Sequence, residues 1–281
     1  NGELEDRWIV SRLNRTVEKL RDAMGRFRVN ESARTLYEFV WHDFCDWYVE
    51  LIKERLSSGD ARKRRDALAC AFDVFDAILR LLHPFMPFLT EELWHRVGEA
   101  REERSILQEL LPEADPARID EDAEDEMEYL QGLVESIRGI RGEMNVPPSK
   151  TCTVVIRCHD VRRRDAILRN AHFLERLARI GDVEAGETAE RPPLSAAAVV
   201  MGDEVYVPLE GLIDITAERK RLDKEIRRLE GVLSGIAAKL SNEKFMSSAP
   251  PDVVERERAK EQNVRSTLEK LRRNLAGLET G

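Results

Sequence analysis

The sequence predicts a mainly α protein in three parts: a helical bundle at residues 1–110, a connecting helix with a small α+β subdomain at 111–213, and an antiparallel coiled-coil hairpin at 214–281. Three observations support this prediction. Apolar residues recur at steps of three and four through the first hundred residues, a β-branched run begins at Thr151, and heptads of leucine and isoleucine begin at Ile215.

The first hundred residues predict four helices that bury one apolar stripe each. The stripes lie at residues 8–24, 33–51, 68–82 and 90–97. Asn30 or Ser32 is the expected N-cap of the second helix, and Thr90 is the expected N-cap of the last one. Helical spacing also predicts that three aromatic residues of the second helix lie in the core, namely Trp41, Trp47 and Tyr48. Helices with such stripes and short links form a bundle.

The middle of the chain changes from helical to extended periodicity. A polar, proline-bearing segment at about 99–120 precedes a helix at 121–143. Thr151–Cys158 then predicts a strand, and residues 166–180 predict one amphipathic helix. A hairpin is expected from residues 196–201 and 204–208, joined across Gly202 and Asp203. Three strands and one helix make a small α+β unit.

The last segment has the clearest periodicity. Ile215, Leu222, Leu229 and Ile236 are seven residues apart, and Ile226, Leu233 and Leu240 lie between them at alternating steps of four and three. The same alternation recurs at Val264, Leu268, Leu271, Leu275 and Leu278. A loop of roughly ten residues separates the two runs, so the simplest fold is an antiparallel hairpin about 40 Å long. Periodicity alone leaves an alternative open, which is a structural coiled-coil scaffold or dimerisation protein.

The net charge of −9 is a local property and does not exclude an anionic partner. Residues 99–128 contain 3 basic and 13 acidic residues, whereas residues 214–281 contain 15 basic and 12 acidic residues. Exposed charges act over roughly 10 Å at ordinary salt, so the local balance decides what a surface attracts. The four cysteines lack metal-ligand spacing, and no run is long enough to span a membrane. We therefore expect a cytoplasmic protein with reduced thiols, without a metal site or membrane contact.

Chemistry-bearing motifs are absent from the sequence. It has no phosphate-cradling glycine loop, no nucleophile elbow and no cluster of metal ligands. We therefore expect no catalytic residues and no cofactor in this chain, and no catalysis by the chain alone.

Several long motifs resemble the valyl-tRNA synthetase family. Phe39–Lys53 and Leu81–Trp94 resemble the anticodon-binding helical bundle of the valyl, isoleucyl and leucyl class I synthetases, and Ile137–Lys150 is similar to the segment that follows it in valyl enzymes. The discriminating motifs look like the coiled-coil arm of bacterial-type valyl enzymes, and they lie at residues 211–214, 239–245 and 249–255. The resemblance covers essentially the whole chain.

The resemblance implies a tRNA-binding role. The chain would be the C-terminal part of an ATP-dependent valine–tRNA ligase, separated from the catalytic and editing domains of the same parent chain, where ATP and Mg²⁺ act. It would be a monomer that positions tRNA-Val, with the anticodon stem-loop on the bundle and the tRNA elbow, where the D and T loops pack, on the arm.

The resemblance and the composition predict specific contact residues. In the bundle they are Arg7 and Trp8, where the family pattern has an anticodon-contacting aromatic, and the basic run that contains Arg62, Arg64 and Arg65. Two alternatives stay open, because Trp8 also lies on the apolar stripe of its helix and the basic run also fits a solvated loop.

In the arm, an apolar and cationic tip should meet the exposed base pair and converging phosphates of the elbow. The predicted residues are Lys239, Leu240, Lys244, Phe245, Arg256, Arg258 and Lys260. The alternative is that Leu240 and Phe245 join the two helices while the cations form a solvated face.

Overall fold

The computed structural model describes residues 2–97 and 104–278, except the side chains of Lys244, Met246 and Ser248. It has two compact units, Asn1–Glu128 and Tyr129–Gly281. Long helices and one small sheet confirm the mainly α fold class. The division into three parts stays a prediction.

The first unit is the predicted helical bundle. Its helices are α1 Leu4–Gly25, α2 Val29–Tyr37, a π-helical segment Glu38–Tyr48, α3 Val49–Ser57, α4 Ala61–Leu82 and α5 Pro87–Val97. Two short 3₁₀ turns follow at Ile106–Gln108 and Pro116–Arg118. One core cluster joins Val17 and Leu20 of α1 to Leu36 and Leu81, so the apolar stripes face one another.

Both predicted N-caps in this unit are wrong. Helix α2 begins at Val29, one residue before Asn30, and the Ser32 hydroxyl donates to Arg28 O at 3.1 Å instead of capping. Helix α5 begins at Pro87, because proline suits the first position of a helix. Thr90 is therefore buried inside α5, where its hydroxyl donates to Met86 O at 2.9 Å.

The prediction for the aromatic residues of the second helix is confirmed for two of the three and wrong for Trp41. Trp47 and Tyr48 are buried, but Trp41 is 58% exposed. The reason is the π-helical segment, in which the Val49 N–H donates to Phe44 O five residues earlier. This wider turn changes the angular spacing of side chains, so a 3.6-residue period assigns Trp41 to the wrong face.

A buried ionic network holds α1 to α3. Arg55 Nη1 donates to Glu5 Oε1 and to Asp6 Oδ2, both at 2.8 Å, and the Tyr48 hydroxyl donates to the other Asp6 oxygen at 2.9 Å. Burial raises the pKa of Glu5, although the hydrogen bond from Arg55 opposes that rise. Burial also raises the pKa of the neighbouring Cys70 to about 11, so its thiol stays protonated.

The α+β part of the second unit has one strand and one helix more than its prediction. Helix α6 spans Glu121–Glu143, as predicted, and is followed by β1 Cys152–Arg157, α7 Val161–Arg169, α8 Ala171–Ala178, β2 Ile180–Gly186, β3 Ser195–Val200 and β4 Asp203–Pro208. The strand order is β2-β1-β4-β3, with β1 and β2 parallel and the other pairs antiparallel.

The single helix predicted at 166–180 is wrong. The helix is interrupted at Asn170, and Arg179 ends α8 in the left-handed conformation with φ 54°, which turns the chain into β2. Strand β2 lies at an edge of the sheet and is largely exposed, so its sequence lacks the alternation of a half-buried strand. The hairpin of β3 and β4 is confirmed, but the predicted turn across Gly202 and Asp203 is wrong by one residue. Asp203 already pairs with Val200, so the two-residue turn is Met201 and Gly202, both with positive φ.

The chain ends in the predicted helical hairpin. Helix α9 spans Ile215–Leu240, the short helix α10 spans Glu243–Ser248, and α11 spans Pro251–Gly277. Asp214 caps α9 by accepting from the Ala217 N–H at 2.9 Å, and Pro251 occupies the first position of α11.

Candidate nucleic-acid interface

The arm, which we define as residues 215–277, is an antiparallel pair of helices with one apolar seam. Ile226 and Leu229 of α9 pack against Leu268 of α11, and four further heptad residues extend this cluster, namely Leu233, Val264, Leu271 and Leu275. Arg272 of α11 also pairs with Glu230 of α9 at 2.7 Å. The 26 residues of α9 give a rod about 40 Å long, as the heptads predicted.

The root of the arm is fixed by polar contacts within the second unit. Arg221 of α9 and Asn274 of α11 both hydrogen-bond Glu143 at the end of α6, the first to its carbonyl at 3.2 Å and the second to its carboxylate at 3.1 Å. Gly277 lies so close to β3 that a β-carbon would be 3.1 Å from Ser195 O. Both helices of the arm are therefore held at its base by α6 and β3, and these contacts fix the direction in which the arm extends.

The tip of the arm is a short turn around α10. The Asn242 side chain caps this helix by accepting from the Phe245 N–H at 3.2 Å. Leu240 and Phe245 are both half-buried. Each side chain is therefore partly covered and partly exposed, so burial does not decide between the two alternatives that the sequence left open.

Two predicted cations meet around one carboxylate at the tip. Lys260 Nζ lies 3.0 Å from Glu257, and Lys239 is exposed close enough to act on the same group. The hydrogen bond from Lys260, followed by the charge of Lys239, lowers the pKa of Glu257. Lys260 is thus paired, and it must exchange Glu257 for a phosphate if it is to bind one.

The remaining cations of the tip are not on a single face. Arg256 is paired with Asp252 at 3.4 Å, and its four-residue spacing places it on the side of α11 that carries Lys260. Arg258 is two residues from both Arg256 and Lys260, so it projects from another side of the helix. It has no ion pair within the described residues. The side chain of Lys244 lies outside the part that the structure describes.

The structure separates the predicted pair Arg7 and Trp8. Trp8 is 3% exposed in the bundle core, which agrees with the alternative reading and leaves no ring face for a base. Arg7 is exposed, but its Nη1 lies 2.7 Å from Asp120. An exposed pair of this kind contributes little to stability, so Arg7 remains able to change partners.

Two further arginines of α1 pair with acidic residues that follow the bundle. Arg15 pairs with Glu124 at 2.6 Å and with Glu121 at 3.1 Å, and Arg21 pairs with Glu113 at 3.2 Å. Part of the acidic segment therefore balances basic residues of α1 in the same unit.

The basic run forms the first turns of α4 and not a loop. Arg62, Arg64 and Arg65 are all exposed, and Arg62 and Arg65 lie 3.8 and 4.0 Å from Asp66. Cations at a helix N-terminus oppose the helix dipole, so they do not stabilise this turn. Asp60 offsets the effect, because its side chain accepts from two backbone N–H groups, which lowers the pKa of Asp60.

Sequence reasoning missed one exposed feature of the bundle. Tyr37 is the last residue of α2, and Trp41 lies in the π-helical segment that continues it. Their side chains are 65% and 58% exposed, and their rings are nearly parallel. Their spacing of four residues is visible in the sequence, but the π-helical segment that turns Trp41 outward is not.

The described part of the chain was searched for a metal site and for a membrane span, and neither was found there. Within residues 2–97 and 104–278, no three His, Cys, Asp or Glu side chains come together in a way that could hold a metal ion. Among the described helices, none has the length and apolar content needed to cross a bilayer.

Family models match both ends of the chain. The model "Anticodon-binding domain of tRNA ligase" matches residues 6–156, and "Valyl tRNA synthetase tRNA binding arm" matches residues 214–279. The first match contains the bundle from residue 6 onwards, and the second contains the helical hairpin.

Curated relatives are similar along almost the whole chain. The valine–tRNA ligase of Enterococcus faecalis is 38% identical over 275 residues, which is 98% of this chain and 31% of that protein. The valine–tRNA ligase of Geobacter sulfurreducens is 41% identical over 256 residues, or 91% of this chain and 29% of that protein. The chain thus spans about a third of the length of these relatives.

Proposed function

The chain belongs to the family of anticodon-binding domains of tRNA ligases, and from this premise we propose that it is the C-terminal tRNA-binding part of a valine–tRNA ligase. Its partner would be tRNA-Val. The observation that supports the proposal most is the structure of the arm. The arm matches the model of a valyl tRNA synthetase tRNA binding arm, and its tip is apolar, half-exposed and flanked by Lys239 and Lys260.

The tip suits the elbow of a tRNA for two physical reasons. First, lysines that contact phosphates release condensed counterions, which strengthens RNA binding in a way that depends on the salt concentration. Second, an exposed base-pair surface offers a flat face on which an apolar side chain can stack. Lys239, Arg256 and Lys260 supply cations, and Arg258 adds one on another side of the tip. Lys244 stays in the proposal on sequence grounds alone.

The bundle would receive the anticodon stem-loop. We assign stem phosphates to Arg62, Arg64 and Arg65, because all three are exposed at a helix start where they do not favour the fold. We also assign a phosphate to Arg7, which can bind it only after the ion pair between Arg7 and Asp120 has broken. Trp8 would act only by holding α1 in place, since its ring is buried.

Catalysis is proposed for other domains of the parent protein. The relatives are named valine–tRNA ligases, and joining valine to tRNA consumes ATP and requires Mg²⁺, but the described residues supply no carboxylate cluster for a metal. The chain would therefore contribute by positioning tRNA for catalytic and editing domains of the same polypeptide. Protein synthesis would place this polypeptide in the cytoplasm.

The competing function is a coiled-coil scaffold that dimerises. It is less favoured, because the heptads of α9 are already covered by α11 of the same molecule. We expect a monomer by sedimentation, and a shift to a one-to-one complex when tRNA-Val is added. A stable dimer that ignores tRNA would contradict the proposal.

The experiment that tests the proposal removes the apolar contact of the tip. Phe245→Ala should weaken binding of tRNA-Val by about tenfold, because one stacked aromatic contributes about 1 to 3 kcal/mol. Affinity is measured by titration at fixed salt, and helicity is checked by circular dichroism.

Val232→Ala is the matched control for this experiment, because Val232 is an exposed apolar residue of α9 outside the tip. It should leave affinity unchanged. Equal affinity of the Phe245 variant and the parent chain would refute a contact at Phe245.

A further inference from the structure

Two aromatic side chains of the bundle are exposed and already stacked. The ring centroids of Tyr37 and Trp41 are 6.2 Å apart and the ring planes differ by 4°. Four of the six tryptophan and tyrosine side chains in this unit are buried, and Tyr37 and Trp41 are the two that are exposed. They are separated by four residues, which places them side by side along one face of the helix.

The backbone holds this face outward. Tyr37 ends α2 and Trp41 lies in the first turn of the π-helical segment, whose inward face buries Phe39, Phe44 and Tyr48. Because the inward positions are filled by other large residues, Trp41 cannot turn into the core without displacing them. Segments of π-helix are rare and often occur at functional sites.

The size and surroundings of the ring pair favour a small flat ligand. Charged side chains lie on both sides of it, with Arg34 near Glu38 at 3.6 Å and His42 near Asp46 at 4.0 Å. A stable protein interface needs roughly 800 Å² from each partner, which two rings within a polar rim do not supply. A single nucleobase matches one ring face in size, and Arg34 could contact its phosphate.

We propose that Tyr37 and Trp41 form a platform on which an unstacked base of a tRNA loop stacks. This inference rests on the proposed function, because the unit that carries the rings matches the anticodon-binding model. It replaces the stacking role expected for Trp8, whose ring is buried. The exposed pairs Arg34–Glu38 and His42–Asp46 contribute little, so their cations can move to phosphate when RNA binds.

The tryptophan content of the chain gives a direct test. Trp8, Trp47 and Trp94 are buried, so Trp41 is the exposed one of the four tryptophans. An RNA hairpin with the anticodon stem and loop of tRNA-Val should quench its fluorescence, whereas the same stem as a blunt duplex should not. Trp41→Ala should abolish the quenching and weaken binding of the hairpin about tenfold. Trp41→Phe should retain most of the affinity.

Phe88→Ala is the matched control, because Phe88 is an exposed aromatic of the same unit outside the stacked pair, and it should change neither quenching nor affinity. If intact tRNA-Val binds but the hairpin leaves the emission unchanged, the platform is wrong and the tRNA-binding function stands. If neither RNA binds, both proposals are wrong. Equal losses from Trp41→Ala and Phe88→Ala would also overturn the platform.

Discussion

Replacing Arg55 by alanine lowers the free energy of unfolding of the bundle by about 3 kcal/mol, the largest effect on stability that we expect. The side chains of Arg55 and Glu5 are 12% and 4% exposed, and Arg55 also donates to Asp6. Without the guanidinium, two carboxylates remain in a site from which water is largely excluded. The loss of unfolding free energy comes from these unpaired buried charges, so it is larger than the loss expected when an exposed ion pair is removed.

Urea denaturation followed by tryptophan fluorescence measures this effect, because all four tryptophans lie in the first unit. Arg64→Ala is the control, since Arg64 is exposed and has no ion pair among the described residues, and it should change stability by less than about 0.5 kcal/mol. A loss below about 1 kcal/mol for the Arg55 variant would show that the network is not what holds α1 to α3.

The same substitution has an expected pH dependence. The folded-state pKa of Glu5 is already raised by burial, and removing Arg55 raises it further. A group with a raised folded pKa favours the folded state below its unfolded pKa and loses that contribution as the pH rises through the folded pKa. The difference between the variant and the parent chain should therefore narrow as the pH falls from 7 towards 4.

Reversing the charge of both tip lysines, Lys239→Glu with Lys260→Glu, should weaken tRNA-Val binding by about tenfold or more at roughly 0.1 M salt. Glu257 then loses the cations that lower its pKa, and three carboxylates face the incoming phosphates. The slope of log affinity against log salt should become shallower by about 2, since each lost phosphate contact removes about one unit.

A matched pair of reversals separates the tip from general electrostatics. Arg227→Glu with Lys270→Glu makes the same change of charge on exposed positions nearer the middle of the arm. This control should weaken binding much less. If both double variants lose the same affinity and the same salt slope, tRNA responds to the net charge of the arm and not to its tip.

Long periodic signals made much of the fold predictable. The limits of α6 and the seam of the arm follow from apolar stripes that repeat over many turns, so one residue that departs from the pattern does not change the prediction. The two N-caps failed because each depends on one residue and its local hydrogen bond. Strand β2 failed because an exposed edge strand has little alternation to detect.

The basic residues of the tip and their ion pairs were predictable from the sequence, whereas the role of the tip stays a prediction. Lys260–Glu257 and Arg256–Asp252 follow from spacings of three and four residues that the sequence contains. The burial of Trp8 was one of two alternatives that the sequence left open. The exposure of Trp41 could not be predicted, because a π-helical turn moves a side chain to another face without any change in composition.

The most direct test of contact between the arm and tRNA changes both partners. Affinity is measured for intact tRNA-Val and for the same tRNA with a disrupted D–T loop contact, each against the parent chain and against Phe245→Ala. The disrupted elbow should bind the parent chain about tenfold more weakly and should bind the Phe245 variant with little further loss, since both changes remove one contact. If the elbow can be disrupted without effect on the parent chain, or if the two losses simply add, the tip of the arm does not contact the elbow.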